Sequence, residues 1–163
     1  MSSCFTYVGP SSIFQHLTTL VRDTQDWKPY YNFTVTEVPN EMVLKDPVLK
    51  KLHDFFPFKA GICLMDGFRV YNWHTDDKRK CSINMLLGHA GSFCLFKNSV
   101  ESKEVVEPAT MLDYQMGHYY LFNTQIPHMI YNDSGYRYLF TLEFLDEDVT
   151  YEKVLDNLTL YSI

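Results

Sequence analysis

From Lys59 onward the chain breaks into short apolar segments: Gly61 to Met65, Phe68 to His74, Cys81 to Leu87, Ser92 to Phe96, Glu104 to Val106, Met111 to Tyr114, Tyr119 to Phe122, His128 to Tyr131 and Tyr136 to Phe144. The gaps hold turn formers such as Asp66-Gly67, Gly88-His89-Ala90-Gly91 and Asn132-Asp133-Ser134-Gly135, which tolerate the backbone of tight reversals. Many short strands at this spacing predict a sandwich or barrel.

The earlier residues follow another pattern. Cys4 to Val8 is strand-like, and the turn Gly9-Pro10-Ser11-Ser12 can cap a helix from Ile13 to about Arg22, with Ile13, Leu17 and Leu20 on one face. Tyr30 to Val38 alternates as a strand does, while Asn40 to Phe56 reads as one or two short helices interrupted near Pro47. These segments predict a helical layer over a sheet. Val149 to Leu160 predicts a closing helix or a dimer partner. No repeat, linker or low-complexity tract divides the chain, so the expectation is one domain over residues 1–163 with a strand-rich core at about 59–145.

Composition sharpens this picture. The chain has 163 residues, enough to bury a core without disulfides, and its 12 Tyr and 12 Phe favour half-buried pleated surfaces. A mainly β fold with packing helices is the expected class. The formal net charge of -6 argues against nucleic acid as a partner, because phosphate binding needs a basic face. Cys4, Cys63, Cys81 and Cys94 lack CxxC spacing and read as small hydrophobes rather than zinc ligands or a disulfide framework. The N-terminal residues lack the charged start and apolar run of a signal peptide, and no segment approaches a membrane span. The expectation is a soluble cytoplasmic protein, in which the N-x-S/T triplets at Asn32, Asn132 and Asn157 arise by chance.

The candidate chemistry lies in His74-Thr75-Asp76, answered downstream by His128 and then Arg137. Two imidazoles and one carboxylate make a facial triad that leaves metal positions open for substrate and oxygen, and an arginine can clamp a carboxylate bidentately. Strand parity puts His74 with Phe68, Val70 and Asn72, and sends Tyr71 and Trp73 to the opposite face, under the N-terminal helices. Asp76 shares the His74 face if the extended backbone continues. His128 groups with Ile130 and Asn132, and Arg137 with Leu139 and Thr141. An arginine on so apolar a face needs a counter-ion. Asp76, Asp77 and Glu143 are the candidates for an internal salt bridge, and a strand-opening position at the surface is the alternative. His118 is a second candidate for the distal ligand, and His16, His53 and His89 carry no assigned role.

The stretches W-H-T-D-D, R-K-C-S-I-N-M-L-L, G-H-Y-Y-L-F-N, P-H-M-I-Y-N and Y-R-Y-L-F, all between Phe68 and Phe144, resemble the iron(II)/2-oxoglutarate-dependent oxygenases. The resemblance is to the branch that includes aspartyl/asparaginyl and prolyl hydroxylase-like proteins, and the N-terminal half carries no matching motif. It implies a double-stranded β-helix, a cupin-like jelly roll with helices on one sheet. It also implies iron(II) on His74, Asp76 and His128, the distal carboxylate of 2-oxoglutarate on Arg137, and Asn84 as a weaker cosubstrate contact. The implied reaction hydroxylates a peptide, an amino acid or another small molecule and releases succinate and carbon dioxide. Leu139 departs from the arginine-x-serine pattern of some branches, which puts in doubt a hydroxyl beside the arginine but not the arginine's own pairing. Two other readings remain: another cupin-like metal enzyme in which Arg137 meets a different anion, and a catalytically inert jelly-roll binding module with negligible metal affinity.

Overall fold

The computed structural model describes residues 3–88, 91–97 and 109–160. The elements in order are β1 (Phe5–Pro10), α1 (Phe14–Asp23), β2 (Lys28–Tyr30), β3 (Phe33–Val38), α2 (Asn40–Val43), α3 (Pro47–Phe55), β4 (Phe58–Met65), β5 (Arg69–His74), β6 (Cys81–Gly88), β7 (Ser92–Lys97), β8 (Ala109–Asp113), β9 (His118–Asn123), β10 (His128–Asn132), β11 (Arg137–Phe144) and α4 (Tyr151–Leu160). The expected strand Glu104 to Val106 and His89 lie outside the described residues.

Two antiparallel sheets face each other. The larger has seven strands in the order β1-β9-β6-β11-β4-β3-β2, and the smaller has four in the order β5-β10-β7-β8. This is the expected jelly roll. Alternation along the strands divides the interior into two clusters. Phe140, Leu142, Ile62, Ile83, Met85 and Leu121 point outward from the large sheet and meet Ile13 and Leu17 of α1, Leu49 and Leu52 of α3 and Val154 of α4. Met65, Cys94, Phe96, Tyr120, Phe122 and Ile130 fill the space between the sheets. β6 is covered on both faces, which is why Cys81 to Leu87 is buried throughout, the polar Ser82 and Asn84 included. Tyr151 and Val154 bury α4 against the large sheet, so that segment closes the fold.

Two N-terminal expectations change. Tyr30 to Val38 is a hairpin rather than one strand: Tyr30 pairs with Phe33 across a turn at Tyr31-Asn32, and Tyr31 takes φ 50°. The Ser11-Ser12 segment does not cap α1 with a side chain; the N-cap position is Ile13. Ser12 instead donates from its N–H and its hydroxyl to Asp46 Oδ2, each at 2.9 Å. Asp46 caps α3, accepting from Val48 and Leu49 N–H, with Pro47 at the position where a missing N–H costs nothing.

Candidate metal centre and anion pocket

β5 carries the feature that builds the centre. Its register with β10 pairs His128 with His74 but Ile130 with Tyr71, so three steps on β5 span two on β10. That is a β-bulge, which re-aims side chains at a strand end. The extra residue is held locally: Asn72 Oδ1 accepts from Trp73 N–H at 2.8 Å, and Asn72 O accepts from His74 Nδ1 at 2.7 Å. The bulge overturns the parity expectation. Tyr71 lies on the same face as His74, with ring centroids 4.0 Å apart, and Phe33 meets Tyr71 edge-on at 5.0 Å. Trp73 does not pack under the helices; it is 38% exposed, with Lys97 Nζ 5.6 Å from its ring centroid.

Across the strand pair, the His74 and His128 rings stand 4.3 Å apart. His128 Nδ1 donates to Ile126 O at 3.0 Å. A carbonyl oxygen only accepts, so both histidines carry their proton on Nδ1 and present the Nε2 lone pair, the tautomer a metal ligand needs. Both Nε2 atoms face one oxygen, Asp76 Oδ1, at 3.7 Å from His74 and 3.9 Å from His128. The three ligand atoms lie within 4.8 Å of one another. Burial, aided by the neighbouring His74, holds the His128 imidazole below its ordinary pKa, which favours the neutral form that binds metal. The donor set of two nitrogens and one oxygen fits a ferrous ion.

Asp76 follows β5 and is positioned by other contacts. Its N–H donates to Thr124 O at 3.1 Å, and Gln125 Nε2 donates to Asp76 O at 3.1 Å and to Arg79 O at 3.0 Å. Arg79 takes the second carboxylate oxygen, with Nη2 at 2.7 Å and Nε at 2.9 Å from Oδ2. Arg79 Nη1 then reaches Thr141 Oγ1 on β11 at 3.0 Å, tying the ligand-bearing loop to the opposite sheet.

Arg137 opens β11 and is fully buried at 0% exposure. Nη2 donates to Tyr114 OH at 3.2 Å, while Nε and Nη1 have no hydrogen-bond partner. None of the expected internal counter-ions reaches it among the described residues: Asp76 pairs with Arg79, Glu143 with Lys59 at 3.2 Å, and Asp77 is exposed. The surface alternative fails with them. A buried guanidinium with free donors is costly unless an anion completes it, so the donor set fits the carboxylate of a ligand. The hydroxyl beside Arg137 is that of Tyr114, whose phenol burial keeps protonated.

Asn84 lies buried on β6, opposite Thr141 and Tyr120, and its Oδ1 accepts from Ser82 at 3.2 Å. It lines the inter-sheet space as Thr141 does. His118 is not in the cluster, since Nδ1 bonds Tyr7 OH at 2.7 Å at the far side of β9. His16 and His53 belong to helices α1 and α3. Sequence reasoning missed three residues. Arg79 sits in Lys78-Arg79-Lys80 and carries no assigned role there, Tyr114 reads as the last apolar residue of a strand, and the bulge hid Tyr71.

No protein-family model matches this chain, and no curated protein matches its sequence. Solved structures do match its fold. A prolyl-4-hydroxylase from Pseudomonas putida aligns over 88% of this chain and 92% of its own, with TM-score 0.64 and 14% identity. HygX from Streptomyces hygroscopicus, solved with nickel and 2-oxoglutarate bound, covers 91% of this chain and 85% of its own, with TM-score 0.66 and 11% identity. A Trichoplax adhaerens prolyl hydroxylase, in complex with a hypoxia inducible factor peptide fragment, covers 99% of this chain and 89% of its own, with TM-score 0.62 and 14% identity. The architecture is thus the double-stranded β-helix found in 2-oxoglutarate- and iron-dependent oxygenases.

Proposed function

We propose that this protein is an iron(II)- and 2-oxoglutarate-dependent dioxygenase that hydroxylates a peptide or small-molecule substrate. The observation that carries the reading is Arg137: a buried cation with two partnerless donor nitrogens in a jelly roll that also gathers His74, Asp76 and His128 within metal-binding range. An inert binding module has no use for either arrangement. A ferrous ion with 2-oxoglutarate and dioxygen would supply oxidative decarboxylation, one oxygen atom entering succinate as carbon dioxide is released and the other being inserted into a substrate C–H bond to give C–OH.

The roles of the chain's own residues follow from position. His74, His128 and Asp76 Oδ1 would hold the ion, and Arg79 occupies Asp76 Oδ2, which leaves the carboxylate a single oxygen to offer. Arg137 and Tyr114 take the distal carboxylate of 2-oxoglutarate, with Asn84 as a secondary contact on the inter-sheet wall. Met65, Cys94 and Ile130 exclude water from the space between the sheets. Phe33 and Tyr71 wall the approach to His74 and form one side of the substrate mouth. The fold neighbours solved with a peptide and with hygromycin B support these two substrate kinds. Four free cysteines support a reducing compartment such as the cytoplasm. No helix among the described residues is long and apolar enough to cross a membrane.

The test is anaerobic titration of metal-free protein with iron(II) and 2-oxoglutarate, following the visible charge-transfer absorption of the chelate. The band is expected in wild type, absent in Asp76→Ala, and present only at much higher 2-oxoglutarate concentration in Arg137→Ala. Iron binding without an oxoglutarate-dependent band overturns the reading in favour of another cupin-like metal enzyme. No metal binding favours the inert module.

A further inference from the structure

The buried side-chain atoms without a hydrogen-bond partner among the described residues are Arg137 Nε, Arg137 Nη1, Asn132 Oδ1 and Ser92 Oγ. They gather at one end of the space between the sheets. Ser92 pairs directly with Asn132 across β7 and β10. Asn132 Nδ2 lies 2.9 Å from Gly135 O and 3.5 Å from Met65 O, and Met65 is the residue opposite Arg137 on β4. Ser92 shares the parity of Cys94 and Phe96, which fill the inter-sheet cluster, so its hydroxyl points inward with theirs.

Burying a hydroxyl without a partner costs free energy that alanine or cysteine at the same strand position avoids. The orphan at Ser92 is therefore unexplained by the fold. Asn132 is explained in part, since Nδ2 also donates to Asp66 O at 2.8 Å, which fixes the amide and leaves Oδ1 on its other side. Across the four atoms, three are donors and one is an obligate acceptor. A site with surplus donors beside a buried guanidinium is matched by an anion carrying several lone pairs.

We propose that Ser92 is a further cosubstrate-binding residue, its hydroxyl donating to the distal carboxylate from β7 of the four-stranded sheet, whose neighbouring strand β8 leads into Tyr114, while Arg137 approaches from the seven-stranded sheet. This rests on the proposed oxygenase function and deepens it: Ser92 makes the pocket selective for a 2-oxo acid that ends in a second carboxylate. The pocket then clamps that group with donors from both sheets, which fixes the ligand's length as well as its charge.

The experiment compares 2-oxoglutarate with 2-oxovalerate, which has a methyl in place of the distal carboxylate, by charge-transfer titration of anaerobic iron(II)-loaded wild type, Ser92→Ala and Ser92→Cys. Ser92→Ala is expected to weaken 2-oxoglutarate about tenfold, the loss of one hydrogen bond to a charged group, and to leave 2-oxovalerate unchanged. Ser92→Cys, a near-isosteric weak donor, is expected to fall between. The ligand-free melting temperature of Ser92→Ala is expected to stay level or rise, since no hydrogen bond is removed. Equal affinity of Ser92→Ala and wild type for 2-oxoglutarate overturns the proposal, as does equal weakening of both ligands, which marks a general distortion. Absence of any oxoglutarate band in wild type is a different failure, that of the oxygenase reading itself.

Discussion

Arg79 and Asp76 meet through one oxygen only: Nη2 and Nε both address Oδ2, at 2.7 and 2.9 Å, while Oδ1 faces the two histidines. A carboxylate free at both oxygens can swing or chelate a metal through both, and either movement closes a coordination position. Arg79 is itself fixed by Thr141 and by Ser82 Oγ at 3.4 Å, so the constraint reaches Asp76 from the large sheet. Arg79→Gln is expected to weaken iron(II) affinity by about 10- to 100-fold, the range for lost partners of metal ligands. Thr141→Val, which spares the Asp76 contact, is expected to have a smaller effect. Anaerobic metal titration of the two variants checks this, and equal affinity of Arg79→Gln and wild type would remove Arg79 from the centre.

The convergence of His74, Asp76 and His128 was legible because its signal is chemical identity at a spacing: a histidine and a carboxylate two apart, then a histidine opening a later strand. The interrupted helix pair was legible at Asp46-Pro47, a cap followed by a residue that starts helices well. Tyr71 was not legible. Parity arguments assume uninterrupted pleating, and one inserted residue between Tyr71 and His74 reverses every assignment beyond it. The turn at Tyr31-Asn32 was hidden for a related reason, as an aromatic residue with φ 50° breaks the usual glycine or asparagine signature. The partners of Arg137 depend on which strands meet across the two sheets, which no local pattern encodes.

The contact between Tyr71 and His74 yields its own prediction. With ring centroids 4.0 Å apart and Phe33 behind it, Tyr71 holds the imidazole at the angle set by the bulge. Tyr71→Phe keeps the ring and is expected to leave iron(II) affinity within about twofold, whereas Tyr71→Ala frees His74 and is expected to weaken it by about tenfold. Parallel loss in both variants would instead assign the effect to the hydroxyl.

Asp46 is the buried polar anchor of the helical layer. Its Oδ1 accepts from Val48 N–H at 3.0 Å and Leu49 N–H at 3.2 Å, and Oδ2 from Ser12 and from Tyr119 OH at 3.1 Å. One side chain thus joins α3, the entry to α1 and strand β9. Asp46→Ala removes the α3 cap together with the acceptor for Ser12 N–H and hydroxyl, while the Tyr119 phenol keeps Ser11 Oγ at 2.7 Å, a loss on the order of 3 kcal/mol. Urea denaturation of the metal-free protein measures it, and a change below about 1 kcal/mol would contradict the anchoring role.

Alkaline pH tests the buried acids together. Burial pushes the thiols of Cys81 and Cys94 up to about 12, and burial likewise raises the phenols of Tyr114 and Tyr119. Each group holds its proton more tightly in the folded chain than in the unfolded one. Above roughly pH 9, where a free thiol ionises, the unfolded chain sheds protons that the folded chain keeps, so stability is intact below that pH and falls as pH rises. The urea midpoint is therefore expected to hold between about pH 7 and 8.5 and to drop steadily toward pH 10.5. The same protonation makes Cys81 and Cys94 poor nucleophiles, so a thiol reagent at pH 8 is expected to label them only after denaturant is added. Rapid labelling of all four cysteines in the native protein would show that the interior opens more readily than this packing allows.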